Sequence, residues 1–232
     1  MFVIPCKYNK NTPFILNLVE GIRRYHPDDK IVVVDSSSED KSYFEDIKKY
    51  NVIIEDIDNK NWMVGAYWHA YKKFPNEDFY FFMHDSMLVK GNMDYLKKND
   101  LTLLCTFSRN LNQTFDYWGN KINIETKYKY KTGGLGCYGI IFFCKNKVMK
   151  IMLEMGADKV LPNNKAETGY CEGCYGFFLE DQGYDLLNCS LYGDVIQNES
   201  LGGRSGPPPH NTSWQFPIEK FYASIDNDYR RI

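Results

Sequence analysis

Hydrophobic and polar positions alternate in blocks along the first half of the chain. Residues 2–5 form a short apolar run, and residues 31–34 a continuous β-branched one. Residues 52–54 and 79–83 repeat the pattern. Short apolar runs bounded by polar turns predict strands buried on both faces. Between them the spacing turns helical. Phe14, Ile15, Leu18, Val19 and Ile22 recur at helical intervals up to about residue 25, with Thr12 placed as an N-cap and Pro13 in the first turn. Residues 36–40 read as a turn and 43–50 as a short helix. Val64, Tyr67, Trp68 and Tyr71 mark a third helix over 62–74. The order β-α-β-α-β-α-β predicts an α/β, Rossmann-like domain: a central, mostly parallel sheet flanked by helices.

The second half is less regular. Residues 101–107 and 136–144 predict strands, 147–155 and 173–182 helices, and 186–191 a last core strand. Residues 109–134 are polar and aromatic with weak periodicity and read as mostly loop. The glycine-proline cluster at 202–209 reads as a loop and 213–232 as a tail. At 232 residues one domain is expected, with 1–95 and 96–232 as its two halves.

Charge narrows the choice. Twenty-eight basic residues balance thirty acidic ones, a net charge of -2, which argues against a nucleic-acid binder that works by bulk charge. No apolar run is long enough for a membrane span, and the N-terminus lacks the charged start of a signal peptide. Seven cysteines, an odd number, then point to a reducing, cytoplasmic compartment. The pair Cys171 and Cys174 lacks the second pair that a zinc site needs.

Ligands of open α/β sheets sit beyond the carboxyl ends of the strands. Cys6, Lys7, Tyr8 and Asn9 follow the first strand, and Asp35 with three serines the second. Glu55, Asp56, Asp58 and Asn59 follow the third, and His84, Asp85 and Ser86 the fourth. Several acceptors and a few donors gathered on one edge suit a ligand with hydroxyls and phosphates. Neither the dinucleotide glycine fingerprint nor a P-loop is present. Asp35 could be a turn residue bonding backbone N–H groups of the 36–38 loop. His84 and Asp85 could end their strand with hydrogen bonds alone, and Glu172 could be a helix N-terminal acid favoured by the macrodipole. Trp62 and Trp68 read as core, though they, Trp118 and Trp214 could stack on sugar rings.

Four segments in order resemble the motifs of GT-A-fold glycosyltransferases. Phe2-Val3-Ile4-Pro5-Cys6-Lys7-Tyr8-Asn9 resembles the opening V-I-P-x-Y-N strand, and Ile31 through Asp40 is similar to I-V-V-D-D-G-S-x-D. Asn59-Lys60-Asn61 with Gly65-Ala66 resembles the N-x-G…G-x-A helix entry, and Phe79 through Ser86 takes the place of the D-x-D strand end. The resemblance implies a GT-A-like fold and sugar transfer from a nucleotide-diphosphate sugar, UDP- or GDP-linked, to a hydroxyl of a glycan or other acceptor. It implies nucleotide-sugar contacts at Pro5, Tyr8, Asn9, Asp35, Ser37, Asn61, Gly65 and His84. Gly133 and Gly134 would let backbone approach the sugar, and Arg204 would grip phosphate. Mn²⁺ or Mg²⁺ would be held by Asp85, His84 and His210, with His84-Asp85-Ser86 lacking one carboxylate of the family motif. Glu172 would take the acceptor's proton in an inverting reaction, Glu167 and Asp181 being weaker substitutes, and Glu180 and Asp181 are expected in solvent. A non-catalytic glycan- or nucleotide-sugar-binding protein and a sugar nucleotidyltransferase are the alternatives.

Overall fold

The computed structural model describes residues 1–7, 14–108, 135–194, 217–220, 222–223 and 229–230. Strands β1 (Phe2–Cys6), β2 (Ile31–Ser36), β3 (Ile53–Ile57) and β4 (Phe79–Phe82) alternate with helices α1 (Phe14–Tyr25), α2 (Tyr43–Lys48) and α3 (Trp62–Lys73). β5 (Met87–Val89), β6 (Leu101–Leu103), β7 (Thr106–Ser108), β8 (Leu135–Cys137) and β9 (Phe142–Lys145) follow. Helices α4 (Asn146–Glu154) and α5 (Lys165–Asp181) and strand β10 (Ile218–Lys220) complete the main elements. The central sheet has the order β3-β2-β1-β4-β9-β6. β1, β2, β3 and β4 pair in parallel, and β9 is antiparallel to both its neighbours, so it alone runs against the other five.

The sheet separates two cores. Val3, Val32, Val34, Tyr80 and Phe82 face α3, α4 and α5 on one side. Phe2, Ile4, Ile31, Val33, Phe79 and Phe81 face α1 and α2 on the other. The change of face at α3 has a cause. From β1 the chain winds outward to β2 and β3, then returns past β1 to β4. A right-handed crossover keeps its hand on reversing direction only by moving its helix to the opposite face. The reversal leaves a crevice at the carboxyl ends of β1 and β4, where such sheets bind ligands.

The second half departs from its predicted boundaries. The apolar run 101–107 is two strands: β6 pairs with β9 in the central sheet, and β7 pairs with β8 outside it. Run 136–144 splits likewise into β8 and β9 about a turn in which Gly139 and Ile140 have left-handed backbone (φ +64° and +51°). Both runs stay apolar because both halves are buried. Residues 186–191 form no strand; Ser190 makes one isolated bridge to Leu103. The region read as a tail supplies β10, whose Ile218 is buried and pairs with β5.

Helix α5 begins eight residues earlier than predicted. Asn164 caps it by accepting from the Glu167 N–H at 3.0 Å, and Glu167 reaches back to the Asn163 N–H at 2.8 Å. Glu172 therefore lies two turns inside the helix, and Glu167 is its N-terminal acid. Late in the helix, Glu180 accepts the Leu135 N–H at 3.0 Å instead of facing only solvent. α5 lies against β8 because Gly176 has no side chain: a Cβ there would stand 2.1 Å from the Leu135 carbonyl oxygen and 2.9 Å from the Gly136 Cα. Backbone on both sides cannot retreat. Gly176→Ala is expected to cost about 3 kcal/mol or more and to lower Tm by about 6–12 °C in a thermal melt.

Candidate functional site

The carboxyl ends of β1 to β4 enclose a cleft of about 480 Å³. Pro5 and Lys7 enter it from β1, Ser36 and Ser37 from β2, and Asp58, Asn59 and Lys60 from the turn after β3. Trp62 and Met63 come from the start of α3, His84 and Asp85 from the end of β4, and Asn163 from the approach to α5. Four predicted site residues thus share one cavity: Pro5, Ser37, His84 and Asp85.

Each wall is fixed from below. Tyr67 on α3 donates its hydroxyl to the Met83 carbonyl at 3.1 Å, holding the residue that follows β4. His84 Nε2 lies 2.7 Å from the Gly139 carbonyl oxygen. A carbonyl only accepts, so Nε2 carries the proton, and in the neutral ring the lone pair is on Nδ1. A metal-binding imidazole uses this same bond to fix its tautomer. Beneath Asp85, the Cys6 thiol is pushed well above its usual range, first by burial and then by the Asp85 carboxylate to which it is hydrogen-bonded.

Asp35 lies under the cleft and has no exposed surface. Its carboxylate accepts the Ser38 N–H at 2.8 Å, the Tyr43 hydroxyl at 2.5 Å and the Ser38 hydroxyl. The turn role predicted for it is present, with Tyr43 as a further donor. Burial, above all, and the neighbouring Cys6 push the Tyr43 phenol far above its usual range, so it stays a neutral donor.

Asn59 joins the second and third walls. Its Nδ2 donates to Ser36 Oγ at 2.9 Å and to the Trp62 carbonyl at 2.7 Å, while its Oδ1 accepts the Asn61 N–H at 3.0 Å. Gly65 makes room for this amide: a Cβ there would lie 2.2 Å from Asn59 Oδ1. Asn61 does not line the cleft; its Nδ2 donates to the Pro162 carbonyl at 3.1 Å, tying α3 to the segment before α5. Trp68 is core, as predicted, and donates to the Tyr175 hydroxyl at 2.5 Å. Trp62 is not: it is 43% exposed and in the cleft wall. An aromatic residue on a helix is expected in the core, but Trp62 is the first residue of α3, before the buried stripe begins.

Glu172 is half-buried on α5 beside Cys137, whose thiol is driven up by burial and then by the Glu172 charge. It does not line the cleft, although Cys137 leads into the Gly139 turn that holds His84. Tyr8, Asn9, Gly133, Gly134, Arg204 and His210 lie outside the described residues. The cysteines are free thiols, and Cys171 and Cys174 are buried in the core.

Among the described residues, another group could hold a metal ion. His26, Asp29 and Asp94 offer ligand atoms within 4.8 Å of one another, before β2 and after β5, away from the cleft. The Met93 N–H donates to His26 Nε2 at 3.0 Å, which places the neutral ring's proton on Nδ1, facing Asp29 at 3.2 Å. Lys97 pairs with both carboxylates, at 3.0 and 2.8 Å, and supplies the cation. Hydrogen bonding from His26 first, and then from Lys97, holds the Asp29 carboxyl below its ordinary range. A lowered folded pKa contributes stability that is complete above the unfolded value of about 3.9 and is lost as pH falls through the folded one. Asp29→Asn is expected to flatten the acid limb of stability below about pH 4, read from urea midpoints across that range.

No protein-family model and no curated protein sequence matches the chain. Solved structures resemble it distantly. Residues 1–349 of S. aureus TarS, also solved in complex with UDP, show 13–14% identity and a TM-score of 0.43 over 73% of this chain and 53% of that one. CMP:2-keto-3-deoxy-manno-octonic acid synthetase complexed with CTP shows 11% identity and a TM-score of 0.45 over 79% of this chain and 86% of that one. The WbbM bifunctional glycosyltransferase shows 15% identity and a TM-score of 0.34 over 68% and 33%. The chain spans about half the length of the TarS fragment. No helix among the described residues is long and apolar enough to cross a membrane.

Proposed function

We propose that the cleft binds a nucleotide-diphosphate sugar, UDP- or GDP-linked, and that the chain transfers the sugar to a hydroxyl of a glycan or other acceptor on a GT-A-like fold. The observation that carries this reading is the meeting of Pro5, Ser37, His84 and Asp85 in one cavity at the sheet's switch point. Asp85 and His84 are the residues that would hold Mn²⁺ or Mg²⁺. A hard carboxylate oxygen beside an imidazole with its lone pair on Nδ1 suits Mn²⁺ in particular. The cation, when bound, would offset charge gathering on the leaving diphosphate.

Lys7 and Lys60 add positive charge along the phosphate path, and Ser36, Ser37 and Asp58 offer partners to hydroxyls. Asp35 acts from below by holding the loop that presents Ser36 and Ser37. Glu172, which lies outside the cleft lining, is the carboxylate we assign as base to the acceptor's proton, and Glu172→Gln should then lower transfer while leaving donor binding unchanged.

A thermal-shift screen of UDP- and GDP-sugars with and without Mn²⁺ tests the reading. A donor at a hundredfold excess over Kd contributes about 2.7 kcal/mol, or about 5–10 °C in Tm. A screen in which no nucleotide sugar moves Tm would refute it.

A further inference from the structure

We propose that Trp62 is the platform on which the flat base of the nucleotide stacks. The inference rests on the nucleotide reading above and names the residue that would recognise the base.

Three observations converge. First, the indole lines the cleft and is 43% exposed, whereas Trp68, about one and two-thirds turns along the same helix, is buried. Second, Trp62 has left-handed backbone, φ +54°. A bulky side chain rarely adopts that conformation, and such residues cluster at ligand clamps. Ser37, also in the cleft wall, has φ +57°. Third, the strained backbone is clamped. The Asn59 amide binds the Trp62 carbonyl and, through Ser36, the end of β2. The ring is therefore carried on a braced support.

The neighbours favour a base over a sugar ring. Met63 and Pro5 add apolar surface to the same cleft, while Ser36, Ser37 and Asp58 supply hydrogen-bonding groups. A nucleobase has this same pairing of apolar faces and a polar edge. The charge-handling pair His84 and Asp85 stands at the end of β4, and Asn59 follows β3. In the order β3-β2-β1-β4 those strands are three spacings apart, about 14 Å. That separation suits a ligand with its base at one end and its diphosphate at the other.

The strain supplies a test that separates recognition from structure. Trp62→Gly removes the ring and relieves the left-handed residue, because glycine adopts positive φ freely. The wild-type chain, Trp62→Gly and Trp62→Phe are titrated calorimetrically with UDP, GDP and inorganic pyrophosphate in the presence of Mn²⁺, and each is melted. Trp62→Gly is expected to keep or raise Tm yet bind UDP or GDP about ten- to a hundredfold more weakly. Trp62→Phe should stay near wild type, and pyrophosphate, which has no base, should bind all three alike. Wild-type nucleotide affinity in Trp62→Gly, or an equal loss for pyrophosphate, would overturn the platform and leave the nucleotide reading standing. If the wild-type chain binds no nucleoside diphosphate, both fall.

Discussion

Asp85→Ala is expected to slow sugar transfer about a hundredfold to a thousandfold while changing stability little. The activity half of this result follows from the proposed role. Asp85 would hold the cation that offsets charge on the leaving diphosphate, and losing one such transition-state contact costs about a hundredfold to a thousandfold in rate. The stability half follows from where Asp85 stands. It occupies the turn between β4 and β5, half-buried, with the buried Cys6 thiol and Tyr67 phenol close enough that its charge pushes both upward. Alanine would spare the cost of drawing a carboxylate out of water and forfeit its hydrogen bond with Cys6, so the two effects largely offset. Release of free sugar from UDP- or GDP-sugars, measured beside a thermal melt, checks both halves, and Asp85→Asn separates charge from hydrogen bonding. Retained turnover in Asp85→Ala would move the reactive wall elsewhere in the cleft.

The residues that were legible in the sequence are those whose role is local. Ile31 to Val34 read as a buried strand because β-branched runs have few other uses. Asp35 read as a turn residue because an Asp followed by serines bonds backbone N–H groups nearby. Its bond from Tyr43, eight residues on, depends on how α2 packs beneath β2 and leaves no local trace. Trp62 and Trp68 look alike as large aromatics on one helix, but Trp68 falls on the apolar stripe of Val64, Tyr67 and Tyr71 and Trp62 does not, which was the available signal. Apolar runs 101–107 and 136–144 hid their breaks, because a strand that changes sheets stays buried throughout; Gly136 and Gly139 were the available signal. The early turns of α5 were masked by Gly169 and Gly173, although Asn164 and Glu167 carry a capping pattern. β5 and β10, three residues each, are too short for any period to register.

Asp35→Ala should have the largest effect on folding, about 3–5 kcal/mol. The side chain is fully buried and takes hydrogen bonds from the Ser38 N–H, the Ser38 hydroxyl and the Tyr43 hydroxyl. Alanine leaves all three donors without their acceptor in a site closed to water. Each orphaned group costs about 1–3 kcal/mol. The methyl group recovers little, because the surroundings are polar. Against a total stability of about 5–15 kcal/mol, this brings the chain near its unfolding threshold. Tyr43→Phe removes one donor and leaves the carboxylate its two Ser38 bonds, so its cost should be about 1–2 kcal/mol. Chemical denaturation of the two variants ranks them. The ranking also assigns a role: if Asp35 works by bracing the 36–38 loop, nucleotide affinity in Tyr43→Phe should stay near wild type and that of Asp35→Ala should fall with its folded fraction. If instead Asp35→Ala melts like wild type but fails to bind, Asp35 contacts the ligand directly, and the loop around Ser37 must open to let it.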